Sequence, residues 1–143
     1  NGNSAFYAEQ DATGLAGSFS GNVLVNGVVT VGGSKNAKLQ TSRGDTYFHA
    51  IESPDVRFED FGRATTHHGK IVVKIDPTFL ETVTGPYTVQ LTAEGKLARF
   101  AVTQQTAQSF TVISDVDGDF SYRVSALRKG FTEDRFSLNM SQP

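Results

Sequence analysis

The chain of 143 residues is long enough for one ordinary domain and too short for two full ones. A formal net charge of -2 without a basic stripe argues against a nucleic-acid-binding protein. The absence of cysteine excludes disulfides and thiol catalysis, and no apolar run is long enough to predict membrane insertion.

The first part of the chain is rich in glycine and poor in charge. Eight of the 14 glycines precede residue 46, and no Lys or Arg occurs before Lys35. Within residues 1–33, short β-prone bursts alternate with Gly or Asn-Gly, a turn signal because both residues tolerate positive φ. Such bursts suit a β-helix-like or β-prism-like fibre in which neighbouring chains supply the buried face. The partner of residues 1–33 could be the preceding chain, the following domain or identical chains around a three-fold axis, and we favour identical chains.

The next residues, 34–46, are polar and without a clear period, and they are interpreted as a linker or lead-in strand. From residue 47 to 143 the sequence predicts an antiparallel β domain. Its first strand is predicted over Tyr47–Ser53, where Pro54 ends it. The pair Asp76-Pro77 combines an N-cap with proline at the first helical position, which predicts a short helix over Pro77–Val83.

The remainder reads as an antiparallel meander with polar turns, typical of a β-sandwich-like domain. Its strands are predicted over Tyr87–Thr92, Leu97–Thr103, Ser109–Ser114 and Phe120–Leu127. Seven apolar residues follow a period of two and are predicted to form the core: Phe100, Val102, Phe110, Val112, Phe120, Tyr122 and Val124. The predicted fold class is therefore all-β, with one short helix.

Two parts of the sequence resemble a known kind of protein. Tyr7–Glu9 with Gly14–Gly27, which reads Gly-Leu-Ala-Gly-Ser-Phe-Ser-Gly-Asn-Val-Leu-Val-Asn-Gly, resembles the last unit of glycine-rich repeat fibres of bacterial surface proteins and phage tail-fibre-like proteins. Four later stretches resemble the β-rich domain that caps such fibres: Glu52–Gly62, Lys74–Phe79, Tyr87–Thr92 and Phe120–Val124. The resemblance implies a trimeric fibre tip or junction and brings no catalytic residues with it.

An acidic motif near the C-terminal end resembles half of a calcium-binding loop. Asp115, Asp117 and Asp119 have the spacing of the first EF-hand ligands, but Ala126 stands where the loop needs a bidentate Glu. The flanking residues also predict strands rather than helices. A tight hairpin with solvated carboxylates is favoured over a weak calcium site.

Two shorter motifs are interpreted as turns. Adjacent His67 and His68 would point to opposite faces of a strand and would not share a metal, so Thr65–Gly69 is interpreted as a polar hairpin tip. Arg43–Asp45 is the tripeptide that integrin ligands use, and it is interpreted as an ordinary polar turn.

An acidic cluster lies close to two arginines in the sequence: Glu52, Asp55, Glu59 and Asp60 with Arg57 and Arg63. Paired carboxylates could hydrolyse glycosidic bonds if they stood about 5–10 Å apart across a cleft. Salt bridges and a turn around Pro54 are the favoured interpretation. Neither a nucleophile elbow nor a phosphate-binding loop is present, so we predict no catalytic residues, no cofactor, no metal and no enzymatic activity.

Three functional hypotheses remain from the sequence. The leading one is a structural and attachment module of a homotrimeric fibre, extracellular, on a cell surface or on a virion or injection machine, touching a polysaccharide or protein receptor. The second is a monomeric carbohydrate-binding module with a glycine-rich linker. Trp is absent, and although Tyr47, Tyr87 and several Phe are available for stacking on a sugar, most of them fit the core pattern. The third and lowest-ranked is a polysaccharide-active enzyme.

Overall fold

The computed structural model of the chain describes residues 8–9, 15–27, 29–131 and 135–136. The chain divides into two compact units, Asn1–Ala50 and Ile51–Pro143. The described residues form eight strands in three antiparallel sheets with one short helix, which confirms the predicted all-β class. No helix in the described ranges is long and apolar enough to cross a membrane.

Part of the predicted fibre-like segment lies outside the described residues, namely 1–7, 10–14 and 28. Residues 15–27 and 29–33 form no strand, so they show neither a β-helix nor a β-prism. The chain does bend at the predicted turn positions, which are Gly21, Asn26–Gly27 and Gly32–Gly33. A strand needs a neighbouring backbone to accept and donate its hydrogen bonds, and the described residues give this segment none.

A hairpin occupies much of the stretch predicted as a linker or lead-in strand. Strands β1 (Asn36–Thr41) and β2 (Gly44–His49) pair in antiparallel register across a tight turn. Gly44 adopts a φ of 89° there, in the left-handed region that glycine tolerates. The sequence signal was weak because the two strands carry few large apolar side chains, namely Leu39, Tyr47 and Phe48, and these do not form a regular alternation.

The second unit holds the remaining elements: β3 (Arg57–Thr65), β4 (Lys70–Lys74), α1 (Pro77–Thr82), β5 (Val83–Glu94), β6 (Phe100–Gln105), β7 (Ser109–Ser114) and β8 (Asp119–Arg128). The predicted helix is confirmed. The Asp76 carboxylate accepts hydrogen bonds from the backbone N–H groups of Thr78 and Phe79 at 2.7 and 3.2 Å, with Pro77 in the first turn. Gly85, which follows shortly after the helix, lies in a bulge of β5, with φ 73°.

The predicted meander is confirmed only for β6 and β7, which pair as antiparallel neighbours. The strands of the second unit form two three-stranded sheets, ordered β3-β8-β5 and β4-β7-β6, so β5 pairs with β8 and not with β6. Alternation along a strand shows which of its faces is buried, but it does not show which strand lies beside it. The two sheets face each other in a sandwich-like arrangement.

The core lies between these two sheets. Val73, Ile75, Phe110 and Val112 come from one sheet or its end, and Phe120 and Val124 come from the other. The core prediction is confirmed: four of its seven residues are buried, and Phe100, Val102 and Tyr122 pack against them half-buried.

Candidate functional site

The outward face of the β3-β8-β5 sheet is polar. Phe120, Tyr122 and Val124 of the central strand β8 point toward the core, so the alternate side chains Ser121, Arg123 and Ser125 point away from it. Arg123 lies at the middle of this face, opposite Phe61 of β3 and Gln90 of β5. The rows on either side add short hydroxyl and charged side chains: Glu59, Ser125 and Thr88 on one side, and Arg63, Ser121 and Thr92 on the other.

This face carries an elongated depression, which we call the sheet groove. It consists of two adjoining hollows of about 420 and 550 Å³ that share Gln90 and Arg123. The first hollow includes Phe61 and Arg63, and the second includes Glu59 and Arg57. The groove runs along β8 from Ser121 to Ser125 and lies within the second unit.

Ion pairs and hydrogen bonds hold the charged side chains of the sheet groove in place. Arg123 pairs with Glu59 across the strands, and Arg63 pairs with Glu94 at 3.3 Å. Arg57 donates from Nε to the Ser125 hydroxyl at 2.9 Å.

The acidic cluster forms salt bridges, as predicted. The Asp55 carboxylate lies 3.4 Å from Arg57 and 2.9 Å from Arg135, close to Pro54 in the chain. Asp60 accepts a hydrogen bond from the Phe61 backbone N–H at 2.9 Å. Burial raises the pKa of the Tyr122 phenol, and the negative charge of Asp60 adds to that rise.

Phe61 is the aromatic side chain that the sheet groove exposes. Its ring is 67% exposed, and the Arg123 guanidinium carbon lies 6.0 Å from the ring centre. The residue was missed because its strand alternates only in part. One signal could have found it: Phe58 and Phe61 are three residues apart, so the two rings must face opposite sides of a strand.

The three aspartates of the predicted hairpin do not converge on one point. Asp115 accepts from the backbone N–H and the Nε of Arg99, both at 2.9 Å. Asp117 accepts from the backbone N–H groups of His68 and Gly69 at 3.0 and 2.7 Å, and the Asp119 carboxylate accepts from Thr65 Oγ1 at 2.6 Å. In the described part of the chain, no three His, Asp or Glu side chains are placed to hold a metal.

The hairpin predicted at Asp115–Asp119 is wrong, because β7 and β8 belong to different sheets and the loop passes between them. Its carboxylates are bonded rather than merely solvated. Hydrogen bonds from the Arg99 backbone and side chain lower the pKa of Asp115. Those from the Gly69 and His68 backbones lower the pKa of Asp117.

The turn predicted at Thr65–Gly69 is present as the two-residue turn His68-Gly69, but it is not the tip of a hairpin between β3 and β4, because these strands lie in different sheets. His68 and Gly69 both have positive φ, at 52° and 73°. The backbones of His67 and Lys70 exchange hydrogen bonds of 3.2 and 3.3 Å across it. This turn also passes from one sheet to the other, since it joins β3 to β4.

Thr66 ties this turn to the loop between β7 and β8. Its side chain is fully buried, and its hydroxyl accepts from the Gly118 backbone N–H at 3.1 Å and from Ser114 Oγ at 2.8 Å. Nothing in the sequence separates Thr66 from the exposed Thr residues around it, so pattern reasoning missed it.

The first unit carries two features of interest. Arg43–Asp45 lies at the β1-β2 turn, where Asp45 forms an ion pair of 2.6 Å with Lys38, which confirms the interpretation as a polar turn. Seven large apolar side chains of residues 15–31 are each at least 43% exposed, and we call them the apolar segment: Leu15, Phe19, Val23, Leu24, Val25, Val29 and Val31. Leu39 and Phe48 extend this exposure along the hairpin, each at 53%.

Comparison with known proteins adds no relative to this description. No protein-family model, no curated protein and no solved structure matches the chain. The resemblance to the tips of glycine-rich fibres therefore stays a prediction.

Proposed function

We propose that the chain is a structural and attachment module at the end of a homotrimeric fibre, extracellular or on a virion. In this proposal the first unit associates with identical chains, and the second unit presents a contact surface. The exposure of the apolar segment is the observation that carries it.

Water-exposed apolar side chains at this density favour burial against a partner. Leu24, for example, is 84% exposed in the single chain. Fully covering a Val, Leu or Phe side chain contributes about 1.5–3 kcal/mol. The glycines between the apolar residues fit the same proposal, because Gly17, Gly21 and Gly27 carry no side chain and lie in open space. Space of this kind lets another backbone approach closely, as in the β-helix-like or β-prism-like packing expected for a fibre.

The β1-β2 hairpin supports the proposal independently. The register places Ala37, Leu39 and Phe48 on one face and Lys38 and Asp45 on the other. A two-stranded hairpin is marginally stable in water unless a third element covers its apolar face. A second copy of the same hairpin offers a matching apolar face. The choice of three copies rests on the resemblance to fibre tips.

Solution mass tests this proposal. Light scattering behind a size-exclusion column should give three times the 15.4 kDa of one chain. The fragment 51–143, which contains its own core, should run as a monomer. Leu24→Ser should weaken the trimer, whereas Leu97→Ser is the matched control, because Leu97 is 99% exposed in the second unit.

A monomeric full chain would overturn the fibre proposal. It would place the monomeric carbohydrate-binding module first, with the glycine-rich residues 1–33 as a linker. Equal effects of Leu24→Ser and Leu97→Ser would also contradict the role given to the apolar segment.

A further inference from the structure

We propose that the sheet groove binds a neutral oligosaccharide, with Phe61 as the stacking ring and Gln90, Arg123 and Glu59 as hydrogen-bonding partners. This inference names the ligand class of the contact surface in the proposed function and rests on that function for its biological role. The physical case for it stands on the second unit alone.

The shape of the sheet groove suits a chain of sugar rings. The groove is elongated and open, and the row Ser121, Arg123 and Ser125 spans about 14 Å at roughly 3.4 Å per residue. Its two hollows lie in series and share Gln90 and Arg123. A chain of sugar rings is an elongated ligand of this kind, whereas a compact cofactor would need one deep cavity.

The charged side chains of the sheet groove are paired with one another or with neighbours. The three arginines of the groove each form an ion pair: Arg57 with Asp55, Arg63 with Glu94, and Arg123 with Glu59. A polyanion or a polycation would have to break such pairs to bind. A sugar hydroxyl both donates and accepts, so it suits a paired guanidinium and carboxylate that offer donors and acceptors side by side. The paired charges therefore favour a neutral glycan over a charged one.

The sheet groove offers the aromatic ring of Phe61 for stacking. Phe61 is a large apolar side chain on an otherwise polar face, and its exposure leaves one ring face open to a ligand. The apolar C–H face of a pyranose can cover such a ring, while the hydroxyls at its edge reach the polar row beside it. Gln90 stands across β8 from Phe61, with Arg123 between them.

The side chains of the sheet groove stand on a packed sheet. β8 is paired on both sides, and its inward side chains Phe120 and Val124 are completely buried. Gly62 lets the Tyr122 ring pack against the backbone of β3 directly beside Phe61. The binding groups are thus held on a packed sheet before a ligand arrives, which lowers the entropic cost of binding.

The test is a direct binding measurement on the full chain. Isothermal titration would use hexasaccharides of β-1,4-linked glucose, xylose, mannose and N-acetylglucosamine and of α-1,4-linked glucose, with polygalacturonate as the polyanion. We expect at least one neutral hexasaccharide to bind. Phe61→Ala should weaken that binding about tenfold, since a stacked aromatic contact and its buried area are worth about 1.4 kcal/mol.

Two further variants make the test specific. Gln90→Ala should weaken binding severalfold. Val72→Ala should leave it unchanged, because Val72 is an exposed residue of β4, in the other sheet. All of these side chains are exposed, so the variants should keep the fold, and circular dichroism checks this.

Three results would overturn the inference: no binding of any neutral hexasaccharide at millimolar concentration, binding of polygalacturonate alone, or full binding by Phe61→Ala. Repeating the titration with residues 51–143 separates this inference from the proposed trimer. A monomeric chain that binds the glycan rejects only the fibre, and a trimer that binds none rejects only the groove.

Discussion

Replacing Thr66 by valine removes one hydroxyl from the junction of two loops and keeps the size and branching of the side chain. The hydroxyl accepts the Gly118 backbone N–H at 3.1 Å, and Gly118 is itself buried. Water cannot take the place of the lost acceptor there. Leaving a buried N–H without a partner costs about 1–3 kcal/mol, so we expect Thr66→Val to lower the free energy of unfolding by that amount.

The magnitude is measurable in residues 51–143. Urea denaturation followed by far-UV circular dichroism and tyrosine fluorescence suits a chain without tryptophan. Each kcal/mol corresponds to about 4–8 °C in the melting temperature of a domain of this size. The matched control is Thr92→Val, the same change at an exposed position of β5, where we expect a shift within about 0.5 kcal/mol.

Equal stabilities of Thr66→Val and Thr92→Val would refute this reasoning. They would mean that the Gly118 N–H finds another acceptor and that the hydroxyl does not hold the two loops together. Adding Ser114→Ala to Thr66→Val should cause no further loss of stability. Both changes remove the same hydrogen bond of 2.8 Å between these two side chains.

The remaining predictions concern acid, a close contact and a turn. Hydrogen bonds lower the pKa of Asp117 and Asp115 below 3.8, so these carboxylates stabilise the fold above that pH, and the stabilisation is lost as the pH falls through the lowered pKa values. Melting curves from pH 7 to pH 2 should show this loss of stability. In Asp117→Asn the loss on acidification should be smaller. Gly62→Ala should destabilise by about 1–3 kcal/mol in urea because the new methyl overlaps the Tyr122 ring, and a gain in stability would contradict the packing described. His68→Asn should raise the free energy of unfolding by up to about 1 kcal/mol, because Asn adopts positive φ more readily, and a fall in melting temperature would count against a strained turn.

Local signals in the sequence predicted the helix and the core residues of β7 and β8, but not the β1-β2 hairpin or the bounds of β2, which is Gly44–His49 and not Tyr47–Ser53. The Asp76-Pro77 pair predicts the helix because both of its effects, the capping carboxylate and the fixed φ of proline, act within one turn. Alternation predicts the core residues of β7 and β8 because a strand buried on one face must alternate.

Features that depend on distant parts of the chain were not predictable in this way. The pairing of β8 with β3 and β5 joins residues at least 25 positions apart, and the sequence of one strand does not indicate which strand pairs with it. The sheet groove inherits this limit: Phe61, Arg123 and Gln90 come from three strands, and only the register brings them into one row. Thr66 differs from Thr65 only in what lies around it.

The placement of β3 beside β8 has a mechanical consequence. The chain enters the second unit ahead of β3, and β8 ends at the same end of the sheet, where Arg57 lies opposite Leu127. A force that pulls the start of β3 away from the C-terminal end of β8 would break the hydrogen bonds of their ladder one after another. A force applied between Ile51 and a ligand held over Arg123 would instead load β3 lengthwise against β8, so that several hydrogen bonds share it. A surface contact made through this face would therefore resist pulling better than one made through the C-terminal end of β8, beside Arg57.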